Sequence, residues 1–185
     1  MKTNLSKFNN SWYNPGNSFK RICWYIANIL FFKSAFFPFS KIKILLLRIF
    51  GAKVGKNVVI KPCVNIKYAW NLAIDDNVWI GERVWIDNLA MVIIGSNVCI
   101  SQGAFLLTGN HNYKKISFDL IVEAIHLEDG VWIGAQSTVC PGVICRSHSI
   151  LTVQSVATKN LEPYSIYQGN PAIYLRKRIF ENSIS

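Results

Sequence analysis

A chain of 185 residues that is 51% hydrophobic and 16% charged can bury one substantial core and is too apolar for intrinsic disorder. Its net charge of +10 is uneven: residues 1–67 hold twelve Lys or Arg and no acid, whereas residues 68–185 hold eight Lys or Arg against ten acids. The basicity belongs to one end, which points that end alone toward solvent, a polyanion or a membrane surface. No nucleic-acid partner is expected for the chain as a whole.

The cysteines (Cys23, Cys63, Cys99, Cys140 and Cys145) are odd in number and form no CxxC pair. Cys63, Cys99 and Cys140 sit among β-branched or apolar neighbours, as small buried hydrophobes do, so a reducing compartment is expected and a disulfide frame is not. The most apolar run, Ile22 to Phe32, spans eleven residues, contains Asn28 and ends at Lys33, too short for a transmembrane helix. It begins too late, and lacks the small-residue cleavage site, for a secretory signal. A cytoplasmic protein is expected.

Residues 1–17 are polar and carry the turn residues Asn9-Asn10 and Asn14-Pro15-Gly16, which predicts an arm. From Phe19 to Phe50, Lys20, Arg21, Lys33, Lys41, Lys43 and Arg48 interrupt runs of Ile, Leu, Phe and Trp, with Pro38 between two segments. The pattern predicts a hairpin of helices near 19–33 and 40–50, completing an N-terminal unit over 1–52. Two roles fit residues 19–50: covering a face or end of the domain, or lying on the anionic inner membrane surface. In the second, each nearby Lys or Arg adds about 1 kcal/mol.

From Val54 a repeat begins. Aliphatic residues recur at Val54, Ile60, Ile66; Ile74, Ile80, Ile86; Ile94, Ile100, Leu106; Leu127, Ile133, Val139; and Cys145, Leu151, Ala157. A step of six matches neither the helical period of 3.6 nor the strand period of 2. It predicts three short strands per turn, each with one inward aliphatic, forming a triangular parallel β-helix over 53–165. Glycines follow at 55, 81, 95 and 134, and Asn57, Asn77, Asn97 and Gly130 precede the next apolar residue. Small residues of this kind are expected at corners where the chain turns tightly, often with positive φ.

The step between the first three triplets is eight residues, but from Leu106 to Leu127 it is 21, leaving thirteen extra. These predict an extruded loop over 108–124 containing His111, Lys114, Lys115, Phe118 and Asp119, and loops on rigid scaffolds carry function. After Ala157, Glu162-Pro163 and Asn170-Pro171 close the coil. Ile173 to Glu181, with Arg176, Lys177 and Arg178, predicts a short C-terminal helix within a closing segment over 166–185.

His111, His126 and His148 lie 15 and 22 residues apart, without the close pair that a three-imidazole zinc site in such a coil requires, so no metal is expected. His126 precedes an inward Leu127 and should face outward; His148 falls at a corner. His111 differs, because it follows Gly109-Asn110 where the chain leaves the coil, and a neutral imidazole there could take a proton from a hydroxyl. GxSxG, P-loop and GxGxxG motifs do not occur, leaving serine hydrolysis and the usual nucleotide folds without support. Trp79, Trp85 and Trp132 each precede an inward aliphatic, so they face outward and need a subunit, loop or ligand as partner.

Asn10-Ser11-Trp12-Tyr13, Val78-Trp79-Ile80-Gly81, Ile86-Asp87-Asn88-Leu89-Ala90, Leu107-Thr108-Gly109-Asn110-His111, Val131-Trp132-Ile133-Gly134-Ala135 and Tyr167-Gln168-Gly169-Asn170-Pro171-Ala172 together resemble the hexapeptide-repeat acyltransferases. The closest likeness is to the colanic-acid-biosynthesis O-acetyltransferase family. The resemblance covers essentially the whole chain. It implies a mainly β fold built on a left-handed β-helix, a homotrimer with active sites between adjacent prisms, and acetyl-CoA as donor. It further implies His111 as general base, with Asp87, Asn88 and Asn110 as acceptor-binding candidates. Asp87 and Asn88 are adjacent and should point apart, so one of the two is expected to serve. Trp132, Ala135 and Val153 would line the acetyl-CoA groove, with Thr158, Lys159 and Arg176 at its phosphates. The family commonly has Asp after the loop histidine, where this chain has Asn112, and a basic residue after Asn-Pro-Ala, where it has Ile173. Val153-Gln154 replaces the usual Ala-Gly, and Arg146-Ser147-His148 replaces a glycine-rich corner. The expected activity is acetylation of a sugar hydroxyl in surface-polysaccharide assembly. The alternatives are another small acceptor, such as an amino sugar or antibiotic, and a non-catalytic trimeric scaffold.

Overall fold

The six-residue period is realised as a three-faced parallel β-solenoid, in a computed structural model that describes residues 2–181. Met1 of the arm and residues 182–185 of the closing segment lie outside the described residues. The first face stacks Lys53–Val54, Leu72–Ile74, Val92–Ile94, Ile125–Leu127 and Ile144–Cys145. The second stacks Val59–Ile60, Trp79–Ile80, Cys99–Ile100, Trp132–Ile133, Ile150–Leu151 and Ser165–Gln168; the third stacks Asn65–Ile66, Trp85–Asp87, Phe105–Leu107, Thr138–Val139 and Val156–Ala157. Each strand pairs in parallel with its counterpart one turn away, so Ile60 meets Ile80 and Ile66 meets Ile86.

Fourteen of the fifteen predicted inward positions are at most 1% exposed, and Val54 is half-buried. The core is denser than one aliphatic per face. Val58, Val78, Val98 and Val131, two residues before the predicted positions, are also buried, because strand side chains alternate and residues i and i−2 share a face. The glycines differ from expectation too. Gly55, Gly81, Gly95 and Gly134 do not have positive φ. A Cβ on Gly81 would lie 2.7 Å from Gln102 N and 2.9 Å from Ser101 C, so the stacking distance of the next coil excludes it. Left-handed corner positions fall instead on Asn57, Asn77 and Asn97, at φ 54°, 59° and 59°, a residue type that tolerates that region.

The helical hairpin covers the first coil. Helix α1, Ser18–Ala27, is N-capped by the Asn17 side chain, which accepts from Phe19 N at 2.8 Å; it runs into a π-helical turn, Asn28–Phe32, and α2 follows at Ser40–Ile49. Polar side chains of this hairpin satisfy the outer strand edge on all three faces. Arg48 Nη2 donates to Val54 O (2.7 Å) and Gly55 O (2.9 Å) on the first. Ser40 Oγ accepts from Ile60 N (3.1 Å) and Lys43 Nζ donates to Lys61 O (2.8 Å) on the second. Trp24 Nε1 donates to Ile66 O (2.9 Å), and Asn28 Nδ2 to Asn65 Oδ1 (2.8 Å), on the third. Trp24, Phe32 and Leu47 are fully buried beneath them. Of the two roles the sequence allowed residues 19–50, covering an end of the domain is the one this geometry displays. The hairpin leaves Phe19, Ile26, Phe36, Leu45 and Ile49 exposed. No helix of the described residues is long and apolar enough to cross a membrane.

The other end corrects the sequence reading. Ile173–Lys177 is a strand, not a helix, and runs antiparallel to Ser165–Gln168. Gln168 pairs with Ile173 and Ser165 with Lys177, which extends the second face by a hairpin. Every residue of this strand is exposed, so no apolar stripe stood in the sequence to distinguish the two states.

Candidate active site

The loop leaves the third face at Thr108, which is fully buried. Thr108 Oγ1 donates to Asp87 O (2.7 Å) and accepts from Ala90 N (3.1 Å), so the exit is bolted to the coil below. A Cβ on Gly109 would lie 2.6 Å from Leu89 Cδ1, so the loop exit packs closely over that side chain. Gly109–His111 then pairs antiparallel with Leu120–Val122, placing His111 opposite Leu120. The extruded segment is thus a small hairpin.

The imidazole of His111 is held from two sides. Its Nδ1 lies 2.9 Å from the Phe118 carbonyl oxygen, and its ring stacks on the Phe118 ring at 4.5 Å and 7°. A carbonyl can only accept, so Nδ1 carries the proton and the lone pair of the neutral ring belongs to Nε2. That tautomer can take a proton from a hydroxyl. The group that orients the ring is a peptide oxygen. Phe118 reaches this geometry at φ 53°, a left-handed conformation that a bulky side chain adopts only when its surroundings impose it. Asn112 is used locally, its Oδ1 accepting from Lys114 N (3.2 Å) while its own N–H donates to Asp119 O (2.8 Å).

The N-terminal arm, which the sequence left as an undefined polar segment, reaches this loop. Asn4 N donates to Ile116 O (2.9 Å), and the Phe8 ring lies 5.9 Å from that of His111. Tyr13 donates its hydroxyl to Leu89 O at 2.9 Å. Burial, with the charges of Tyr68 and Asp87 adding to it, pushes the Tyr13 phenol up, so it stays a neutral donor. The signal in the sequence was Asn10-Ser11-Trp12-Tyr13, one of the stretches carrying the family likeness.

Of the acceptor candidates, Asp87 faces a cavity of about 420 Å³ between α1 and the third face. Arg21, Lys33, Lys67, Tyr68 and Trp85 also line it. Asn88 is corrected by the structure. It is fully buried, with Oδ1 accepting from Tyr68 N (2.9 Å) and Nδ2 donating to Tyr68 O (2.6 Å) and Asn71 O (3.0 Å), which leaves nothing to offer a ligand. Asn110 is exposed, and its Oδ1 accepts from His111 N at 2.8 Å, leaving Nδ2 open.

The residues named for the acetyl-CoA groove fall in four places. Ala135 and Val153 meet at one corner, where Ala135 O accepts from Gln154 N at 2.9 Å. Trp132 lies on the second face, 45% exposed, its Nε1 donating to Ser101 Oγ at 2.9 Å. Thr158 and Lys159 line a second cavity of about 360 Å³, closed by Tyr167, Pro171 and Ile173, whereas Arg176 is exposed on the closing strand and lines neither cavity. His148 is a corner residue as expected, at φ 60° and packed on Tyr164 at 4.8 Å. Among the described residues, no three His, Cys, Asp or Glu side chains converge as metal ligands would.

No family model matches the chain. Its relatives do. The Escherichia coli (strain K12) protein described as "Putative colanic acid biosynthesis acetyltransferase WcaF" is 32% identical over 167 residues, covering 90% of this chain and 92% of that one. Among solved structures, a hexapeptide-repeat-containing acetyltransferase from Vibrio cholerae aligns with a TM-score of 0.78 at 22% identity, over 87% of this chain and 92% of its own. A galactoside acetyltransferase in complex with coenzyme A aligns at 0.76 and 24% identity, over 86% and 81%. Both share the solenoid fold.

Proposed function

The chain belongs to the hexapeptide-repeat acetyltransferase family that includes WcaF, and from that membership we propose that it transfers the acetyl group of acetyl-CoA to a sugar hydroxyl during surface-polysaccharide synthesis. One observation carries the mechanistic reading: the Phe118 carbonyl accepts from Nδ1 of His111 and leaves Nε2 as the basic nitrogen. Nε2 removes the proton of the acceptor hydroxyl as its oxygen attacks the thioester carbonyl. Collapse of the tetrahedral adduct breaks the carbon–sulfur bond, and the proton on Nε2 passes to the departing thiolate. Such general-base assistance is worth about 10²–10⁴ in rate. Asp87 and the open Nδ2 of Asn110 are the residues proposed to meet the acceptor.

The solved galactoside acetyltransferase holds coenzyme A, which supports the same donor here. Trp132, Ala135, Val153, Thr158, Lys159 and Arg176 are the residues proposed to line its groove and meet its phosphates. His111 lines neither of the two cavities described above, which supports a cleft completed by a neighbouring protomer, and exposed Trp79 suits packing within a trimer. The apolar outer side of the α1–α2 hairpin, with Lys41 exposed on α2, supports work in the cytoplasm beside an anionic leaflet, where a lipid-linked acceptor would be presented.

Thiol release from acetyl-CoA, measured with a panel of sugar acceptors, tests the reading. His111→Ala is expected to lower kcat by at least about 10²-fold while oligomeric state and acetyl-CoA affinity stay unchanged. Turnover that survives this substitution would refute the assignment.

A further inference from the structure

The cavity beside α1 has an unbalanced charge. It is lined by Arg21, Lys33 and Lys67 and by one acid, Asp87. Lys67 Nζ stands 3.0 Å from Asp87 Oδ1. The other ion pairs among the described residues are Lys115–Asp119 and Arg146–Glu162, so Arg21 and Lys33 face the cavity without an acidic partner. Asp87 is itself only 8% exposed, and its Oδ1, although close to Lys67, receives no hydrogen bond of acceptable geometry.

The walls also carry flat apolar surface. Trp85 is braced from one side by Phe105, with rings stacked at 4.7 Å, and Tyr68 is braced by Trp70 at 5.0 Å. A ligand suited to all of these features brings a hydroxyl donor for Asp87, a ring edge for Trp85 and Tyr68, and a negative charge for Arg21 and Lys33. A volume of about 420 Å³ accommodates a monosaccharide with a charged substituent. The cavity is also coupled to the loop: Asp87 O holds Thr108 Oγ1 at 2.7 Å, three residues before His111.

We propose that this cavity binds the acceptor and that the acceptor is an anionic sugar, its acidic group held by Arg21 and Lys33 and one hydroxyl by Asp87. The identification of the ligand as the acceptor rests on the acetyl-transfer reading above; the selection for negative charge does not. A uronate carboxylate and a glycosyl phosphate offer the same planar or tetrahedral array of oxygens to the Arg21 guanidinium, and the probes below tell them apart.

Isothermal titration of the full-length protein without acetyl-CoA, using glucose, galactose, their uronic acids and their 1-phosphates, provides the test. At least one anionic sugar is expected to bind about tenfold or more tightly than its neutral parent, the effect of one charge-assisted contact. Arg21→Gln and Lys33→Gln are each expected to reduce that preference about tenfold or more and to leave acetyl-CoA affinity intact. A preference for the uronates assigns the charge to a carboxylate, and one for the 1-phosphates to a phosphate. Equal binding of neutral and charged sugars, no binding of any charged sugar at millimolar concentration, or indifference to both substitutions overturns the proposal. Charge-selective binding without acetylation of any bound sugar counts against the acetyl-transfer reading alone.

Discussion

Nδ1 of His111 is committed to a peptide oxygen seven residues along the chain, and this contact divides what could be read in advance from what could not. Gly109-Asn110-His111 at the exit from a regular coil was enough to single out the histidine. Its orienting partner was invisible, because a backbone carbonyl is common to every residue and nothing in the sequence marks Phe118 for the left-handed conformation it adopts. Lys43 offers a test at the same scale. Its side chain is fully buried against the first coil, and loss of hydration lowers its ammonium from 10.5 to about 8. Below pH 8 both folded and unfolded chains carry the proton and the cost of burying it is fully present; above 10.5 both have lost it and the cost is gone. Between those values the unfolded chain binds more protons, so stability rises with pH. Thermal melts from pH 7 to 10.5 are expected to show the native chain gaining on Lys43→Met across that window. Cys145 stays inert there, since burial pushes its thiol up to about 12.

Among the elements, the hairpin and the closing strand fared differently in the sequence. The hairpin was legible because Pro38 and spaced cations break two apolar runs. Its capping role was not, since it depends on Arg48, Ser40, Lys43, Trp24 and Asn28 finding three separate strand edges in space. The closing strand was misread because Arg176-Lys177-Arg178 suits the last turn of a helix equally well, and pairing with Ser165–Gln168 decided the matter. The hairpin's outer side carries a prediction. Phosphatidylglycerol vesicles are expected to sediment the protein at low salt and neutral phosphatidylcholine vesicles are not, with binding weakened in 0.5 M salt as roughly 1 kcal/mol per cation is screened. Replacing both Ile26 and Phe36 with Ser, two exposed side chains of this surface, is expected to abolish it. Sedimentation unaffected by charge, or a changed oligomeric state in the double variant, would assign the surface to protein contacts instead.

For the molecule as a whole, the period of six was the dominant signal, and it specified the faces, their register and one inward residue per strand, but not the second buried residue two positions earlier. What it did not reveal was the reason for the glycines: a repeat read along one strand says nothing about the coil above it. Because each coil rests on its neighbours, an intrusion at one level is felt by the stack. Gly81→Ala forces a Cβ against the backbone of Ser101 and Gln102. It is expected to cost about 1–3 kcal/mol, read as a lower midpoint in denaturant at unchanged slope.

The covering of the first coil on all three faces has a consequence for assembly. A stack of parallel strands has no intrinsic length, and its bare termini would recruit a second stack end to end, as fibrils do. Here one terminus is sealed by side chains of α1 and α2 and the other is folded back on itself by Ile173–Lys177. Growth along the axis is thereby blocked at the covered end, and turned back on one face at the other.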